Sequence, residues 1–139
     1  MKRKGKKVVG MVLMVAMIMV MTVPAQAARS NSFFRLYNGY YYSGTLDILE
    51  TGAWRAVRAT ITSEAQISNE MSDSVSLNGP VFDSAGITLE YLDAQKWAES
   101  NVTSASDLVE HSNLQGAEVE YHAGYYLSSP VVKTLSVSR

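Results

Sequence analysis

Beyond residue 27 the apolar residues of this chain recur with a period of two, in short runs, and no stretch sustains helical spacing for long. Successive side chains of a β-strand point to opposite faces, so such runs can each bury one face and wet the other. Residues 53–63 carry the clearest pattern: Val57, Ala59 and Ile61 oppose Ala56, Arg58, Thr60 and Thr62. Before it, Leu46 and Ile48 share a face of a short strand over 45–50, and Thr51-Gly52 supplies a turn, so the two runs predict a hairpin. Ile87, Leu89 and Tyr91 alternate with Thr88 and Glu90. Val119 and Tyr121 alternate with Glu118, Glu120 and His122, and 131–137 reads as a last strand with Leu135 and Val137 inward.

Between these runs lie turn signals. Residues 64–74 are polar and read as a loop or weak edge. Asn78-Gly79-Pro80 predicts a turn, because Asn and Gly accept positive φ and Pro cannot continue a hydrogen-bonded ladder, with Val81-Phe82 opening the return strand. Residues 93–100 and 104–115 accommodate short helical turns, the first begun by Asp93, the second capped by Ser104-Ala105-Ser106-Asp107 and stopped by Gly116. Neither is long enough to be stable unaided. The expected fold is all-β, a small antiparallel β-sandwich or barrel of about six to eight strands.

The first 27 residues are organised differently. Lys2, Arg3, Lys4, Lys6 and Lys7 precede an apolar run from Val8 to Val23, and Pro24 then precedes Ala25-Gln26-Ala27. Charge, apolar core, helix breaker and small-x-small is the order of a cleavable export signal, with Ala25 and Ala27 as the residues read by signal peptidase. An uncleaved anchor is the competing reading, but the 16-residue run is shorter than the roughly 20 residues a helix needs to cross a bilayer. Under either reading the positive head stays inside and the remainder of the chain is exported.

Cleavage after Ala27 leaves residues 28–139 as a single secreted domain. Five of the 12 Lys and Arg belong to the leader while all 13 Asp and Glu lie beyond it, so the mature net charge is 7 minus 13, or −6. An acidic surface argues against binding nucleic acid and against a cationic membrane-lysing peptide. The chain has no Cys, hence neither a disulfide staple nor a lipidated anchor, and the C-terminus carries no hydrophobic tail. These features together predict a bacterial protein released outside the cell, with membrane contact only during export.

Two groups of residues invite a functional reading. Residues 28–43 are crowded with aromatics, among them Phe33, Phe34, Tyr37, Tyr40, Tyr41 and Tyr42. In a strand these rings project both ways, so one set is left to form an exposed patch for an extracellular protein or glycan; otherwise the segment is part loose tail and part edge strand. Gly39-Tyr40-Tyr41-Tyr42-Ser43 is echoed by Gly124-Tyr125-Tyr126-Leu127-Ser128, as two Tyr-bearing strand ends.

The second group is Glu118, Glu120 and His122, which would stand in a row on one strand face and could hold a divalent metal or supply an acid and a base. The plainer account is a solvated face. His111 beside Glu110 is the only other histidine, no Ser lies in a Gly-x-Ser-x-Gly elbow, and no phosphate-binding glycine loop or calcium loop is present. No cofactor is implied. The expectation is a secreted, non-catalytic binding module, with a bacteriocin-like toxin and a small metalloprotein or hydrolase centred on His122 as alternatives. Uncovered edge strands would allow pairing between copies.

Overall fold

The computed structural model describes residues 26–139. Eight strands form two four-stranded antiparallel sheets packed face to face: β1 (Gln26–Tyr37), β2 (Tyr40–Thr51), β3 (Trp54–Ala65), β4 (Val75–Phe82), β5 (Thr88–Lys96), β6 (Val102–Glu110), β7 (Gly116–Ala123) and β8 (Val131–Ser138). The first sheet has the order β1-β2-β3-β6 and the second β5-β4-β7-β8. This is the expected all-β sandwich.

The 45–50 and 53–63 runs form the predicted hairpin, extended to an unbroken ladder from Tyr40 opposite Ala65 to Thr51 opposite Trp54. Inner-face residues Leu46, Ile48, Val57, Ala59 and Ile61 of the first sheet meet Val75, Leu77, Val81, Leu92, Val119, Tyr121, Leu135 and Val137 of the second in one core. Burial of that set is the main force holding a chain without disulfides.

Several local expectations are corrected. The stretches read as helical turns, 93–100 and 104–115, are strand and connection instead: β5 runs to Lys96, β6 occupies Val102–Glu110 and residues 97–101 and 111–115 link the strands, and the described residues contain no helix. Propensity was overridden because the alternation of Thr103, Ala105 and Val109 buries one face of β6 against the core. Asn78-Gly79-Pro80 is not a turn but the middle of β4. On its β7 side the ladder lapses between the Asn78–Glu120 and Val81–Ala117 pairs, which is how an inner strand accommodates a proline without an N–H.

The aromatic segment is not a loose tail. Phe33 to Tyr37 pair with Gly44 to Tyr40 around a two-residue turn, Asn38-Gly39. Both turn residues have positive φ, 50° and 84°, the type I′ geometry whose twist matches the flanking strands.

Sheet edges are closed by side chains. Arg35 Nη1 donates to the Val132 carbonyl at 2.7 Å and Asn31 Nδ2 to that of Ser136 at 3.2 Å, so β1 caps the free edge of β8. On the opposite side Asp107 Oδ2 accepts the Asp93 N–H at 2.9 Å, linking β6 to β5. Groups that would otherwise template pairing with another chain are thereby occupied.

Candidate binding surface

Strand direction sorts the connections into two ends. β1, β3, β5 and β7 run one way and the other four run back. The Asn38-Gly39 turn and connections 66–74, 97–101 and 124–130 therefore gather at one end. Gln26, Arg139 and connections 52–53, 83–87 and 111–115 gather at the other, where Arg139 forms a two-bonded pair with the Glu50 carboxylate at 2.8 and 3.1 Å.

The two ends differ chemically. The described residues leave 14 large apolar side chains exposed. Phe34, Leu36, Tyr41, Ile67, Met71, Trp97, Val102, Tyr126, Leu127 and Val131 lie at or beside the end away from Gln26 and Arg139, and of these 14 only Trp54, Ile87, Tyr91 and Leu108 lie elsewhere. Single exposed apolar residues are ordinary, whereas their concentration toward one end makes that end the candidate binding surface.

Three groups make up this apolar end. On the outer face of the first sheet, Leu36, Tyr41, Glu64 and Val102 stand abreast across four strands, and Phe34 stacks on Tyr41 with ring centroids 5.7 Å apart. On connections 97–101 and 124–130, Trp97 lies flat on Tyr125 at 4.1 Å, and Tyr126 meets both rings edge-on. The third group is Ile67 and Met71 on the 66–74 connection.

That connection is tied down along its length. Asn101 Nδ2 donates to the carbonyls of Ile67 and Glu70, at 3.2 and 3.4 Å. The Ser72 N–H donates to the Ser100 carbonyl at 2.8 Å, and the buried Ser72 hydroxyl donates to Thr103 Oγ1 at 2.5 Å. Tyr42 Oη donates to Asp73 Oδ2 at 2.6 Å. The apolar side chains are thus displayed by fixed backbone, which lowers the entropy lost on docking.

The four tyrosines of the aromatic segment separate. Tyr42 is wholly buried in the core, and Tyr37 and Tyr40 are partly buried against it, their rings 6.3 and 6.4 Å from that of Tyr42. Only Tyr41 faces outward, so the exposed patch of this segment consists of Phe34, Leu36 and Tyr41. Trp97, Tyr125, Tyr126, Ile67 and Met71 were not anticipated from sequence as part of one surface. The echo between 39–43 and 124–128 was the available signal, since both stretches arrive at the same end.

Glu118, Glu120 and His122 occupy the outer face of the second sheet, yet they do not make a uniform wet row. The glutamates are exposed and His122 is buried, because the 124–130 connection folds over it. The His122 Nδ1–H donates to the Ser129 carbonyl at 2.7 Å, and Ser76 Oγ donates to the Tyr126 carbonyl at 3.4 Å. His122 Nε2 lies 3.4 Å from Glu120 Oε1 but without hydrogen-bond geometry. Among the described residues no group of three His, Cys, Asp or Glu is arranged to hold a metal ion.

His111 sits at the opposite end, beside an open hollow of about 250 Å³ lined by Ala53, Trp54, Arg55, Glu110, His111 and Ser112. Its Nδ1 accepts the Asn113 N–H at 3.1 Å, leaving the ring proton on Nε2 as a donor. The two histidines are therefore separated by the length of a strand and cannot act together. Of the leader's cleavage site, Ala25 lies outside the described residues, as does the rest of 1–25, and Ala27 pairs with Leu49 at the start of β1. Compared with protein-family models and with curated proteins, the chain matches none.

Proposed function

We propose that this protein is exported, released by cleavage after Ala27, and works outside the cell as a non-catalytic module that docks an extracellular partner through its apolar end. The observation that carries the reading is the gathering of Ile67, Met71, Trp97, Tyr126 and Leu127 at the end opposite Gln26 and Arg139. The hydrogen-bonded 66–74 connection supports the same reading, because a surface held rigid before binding loses little on binding.

The test is sedimentation of purified 28–139 with intact cells. Wild-type protein should pellet with them, and a variant carrying Ile67→Ser, Met71→Ser and Leu127→Ser should stay in the supernatant, whereas Leu108→Ser at the far end should behave as wild type. Equal pelleting of all three proteins would overturn the assignment of the docking end. Fractionation of the producing culture tests export: a mature N-terminus at Ala28 in the medium is expected.

A further inference from the structure

We infer that the surface engaged by the apolar end is a lipid–water interface of uncharged net character, with Ile67, Met71 and Leu127 entering the acyl region and Trp97 and Tyr126 resting at headgroup level. The inference rests on the docking reading above and names its partner. Its first support is shape. The apolar side chains are carried by three separate connections, 66–74, 97–101 and 124–130, and 124–130 folds back over His122, so they do not make one flat face. A surface divided in this way suits a deformable medium that closes around it.

The second support is the backbone. Main-chain polar groups entering a bilayer must be satisfied within the protein. Here the Ile67 carbonyl accepts from both the Glu70 N–H and Asn101, and the Glu70 carbonyl also accepts from Asn101. Tyr126 and Ser129 carbonyls are likewise occupied, by the Ser129 N–H and by His122. These four carbonyls can shed water without losing a partner.

The third support is the rings. Trp and Tyr prefer the headgroup zone because each joins an apolar body to a polar atom. Trp97 and Tyr126 are 59% and 60% exposed, and their contact with Tyr125 fixes their orientation.

Charge selects the lipid. The three connections contain no Lys or Arg, and 124–130 contains no charged residue. Asp73 is engaged by Tyr42, Glu99 is paired with Lys96 at 3.5 Å, and Glu70 is exposed. Nothing on these connections would attract an anionic headgroup, and Glu70 would be repelled. A zwitterionic surface is the complement.

The chain's two tryptophans lie at opposite ends of the sandwich and make the test internal. Trp54→Phe leaves Trp97 as the sole reporter, and Trp97→Phe leaves Trp54. With phosphatidylcholine vesicles, Trp97 emission should shift to the blue and be quenched by brominated acyl chains, while Trp54 emission should do neither in protein that floats with the vesicles. The Ile67→Ser, Met71→Ser, Leu127→Ser variant should partition at least about tenfold more weakly with an unchanged far-ultraviolet spectrum. Replacing part of the lipid with phosphatidylglycerol should not raise binding.

Binding confined to phosphatidylglycerol vesicles would overturn the inference. So would absence of vesicle binding in protein that still pellets with cells through its apolar end; that outcome leaves the docking reading standing and points to a protein or glycan. Quenching of Trp54 in place of Trp97 would overturn both.

Discussion

Tyr121 crosses the sandwich: rooted in β7 of the second sheet, it passes its hydroxyl to the backbone of the first, donating to the Thr45 carbonyl at 2.7 Å. Its ring is fully buried and packs edge-on against Phe33 at 5.2 Å. One residue thereby supplies core volume, an aromatic contact and the satisfaction of a backbone acceptor. Tyr121→Phe keeps the first two and removes the third. We expect a loss of about 1 to 2 kcal/mol, read as a lower urea midpoint with an unchanged slope.

Room for that ring comes from Gly44, the residue before Thr45. A methyl group at Gly44 would collide with the Phe33 ring and press on both near carbons of Tyr121 at 3.0 Å. Gly44→Ala should cost about 1 to 3 kcal/mol through displacement of Phe33 and Tyr121. Pairing it with Phe33→Leu should recover part of the loss, and a double-mutant cycle measures the coupling; strict additivity would show that the crowding lies elsewhere.

Alkali acts on Tyr42 and Tyr121 together. Burial is the main cause raising both phenols above the ordinary value of 10.0, reinforced at Tyr42 by its hydrogen bond to Asp73 and at Tyr121 by the Asp47 charge. A folded value above the unfolded one gives stability that is complete below about pH 10 and declines as pH rises, because the unfolded chain releases protons the native chain retains. Each tyrosine should contribute a slope of about 1.4 kcal/mol per pH unit above that point. Urea midpoints should therefore be flat approaching about pH 10 and fall beyond it, and Tyr121→Phe should roughly halve the slope.

The edge of β8 depends on Arg35, whose guanidinium reaches the Val132 carbonyl and also lies over the Tyr37 ring at 5.5 Å. Arg35→Ala uncovers that acceptor at an edge strand. Light scattering after size exclusion should show concentration-dependent self-association of the variant under conditions where wild type is monomeric, since an unprotected edge is a template for pairing.

How far sequence reveals this molecule depends on whether a signal is local. Alternation in 53–63 and 118–123 is local and needs only one buried face, so those strands and their inward residues were legible. The 93–96 and 104–110 stretches were not, since Asp107 takes its meaning from the Asp93 N–H across the sandwich. Tyr42 reads like Tyr41 until the hairpin register sends one inward to Asp73 and the other outward to Phe34. The apolar end was hidden for the same reason: Ile67, Trp97 and Tyr126 are far apart in sequence, and only the strand directions bring their connections together. Asn-Gly occurs twice, and sequence marked the wrong copy as the turn; the dipeptide permits positive φ but cannot compel it when flanking strands pair straight through.

That contrast yields a last prediction. Gly39 has φ +84° with open space around the position of a Cβ, whereas Gly79 has ordinary φ but its Cβ would run into the Glu118 carbonyl and sit 2.7 Å from the Val119 Cα. Replacement at Gly39 incurs only the left-handed backbone penalty, about 1 to 2 kcal/mol for an L-residue. Replacement at Gly79 must part β4 from β7 in the middle of the second sheet, where no flexible side chain can yield. Gly79→Ala should therefore destabilise more than Gly39→Ala, with loss of amide-exchange protection spreading along β7 in the first case and confined to the hairpin tip in the second. The opposite ranking in urea melts would mean that β4 and β7 are not in contact at Gly79, and the second sheet would have to be re-registered.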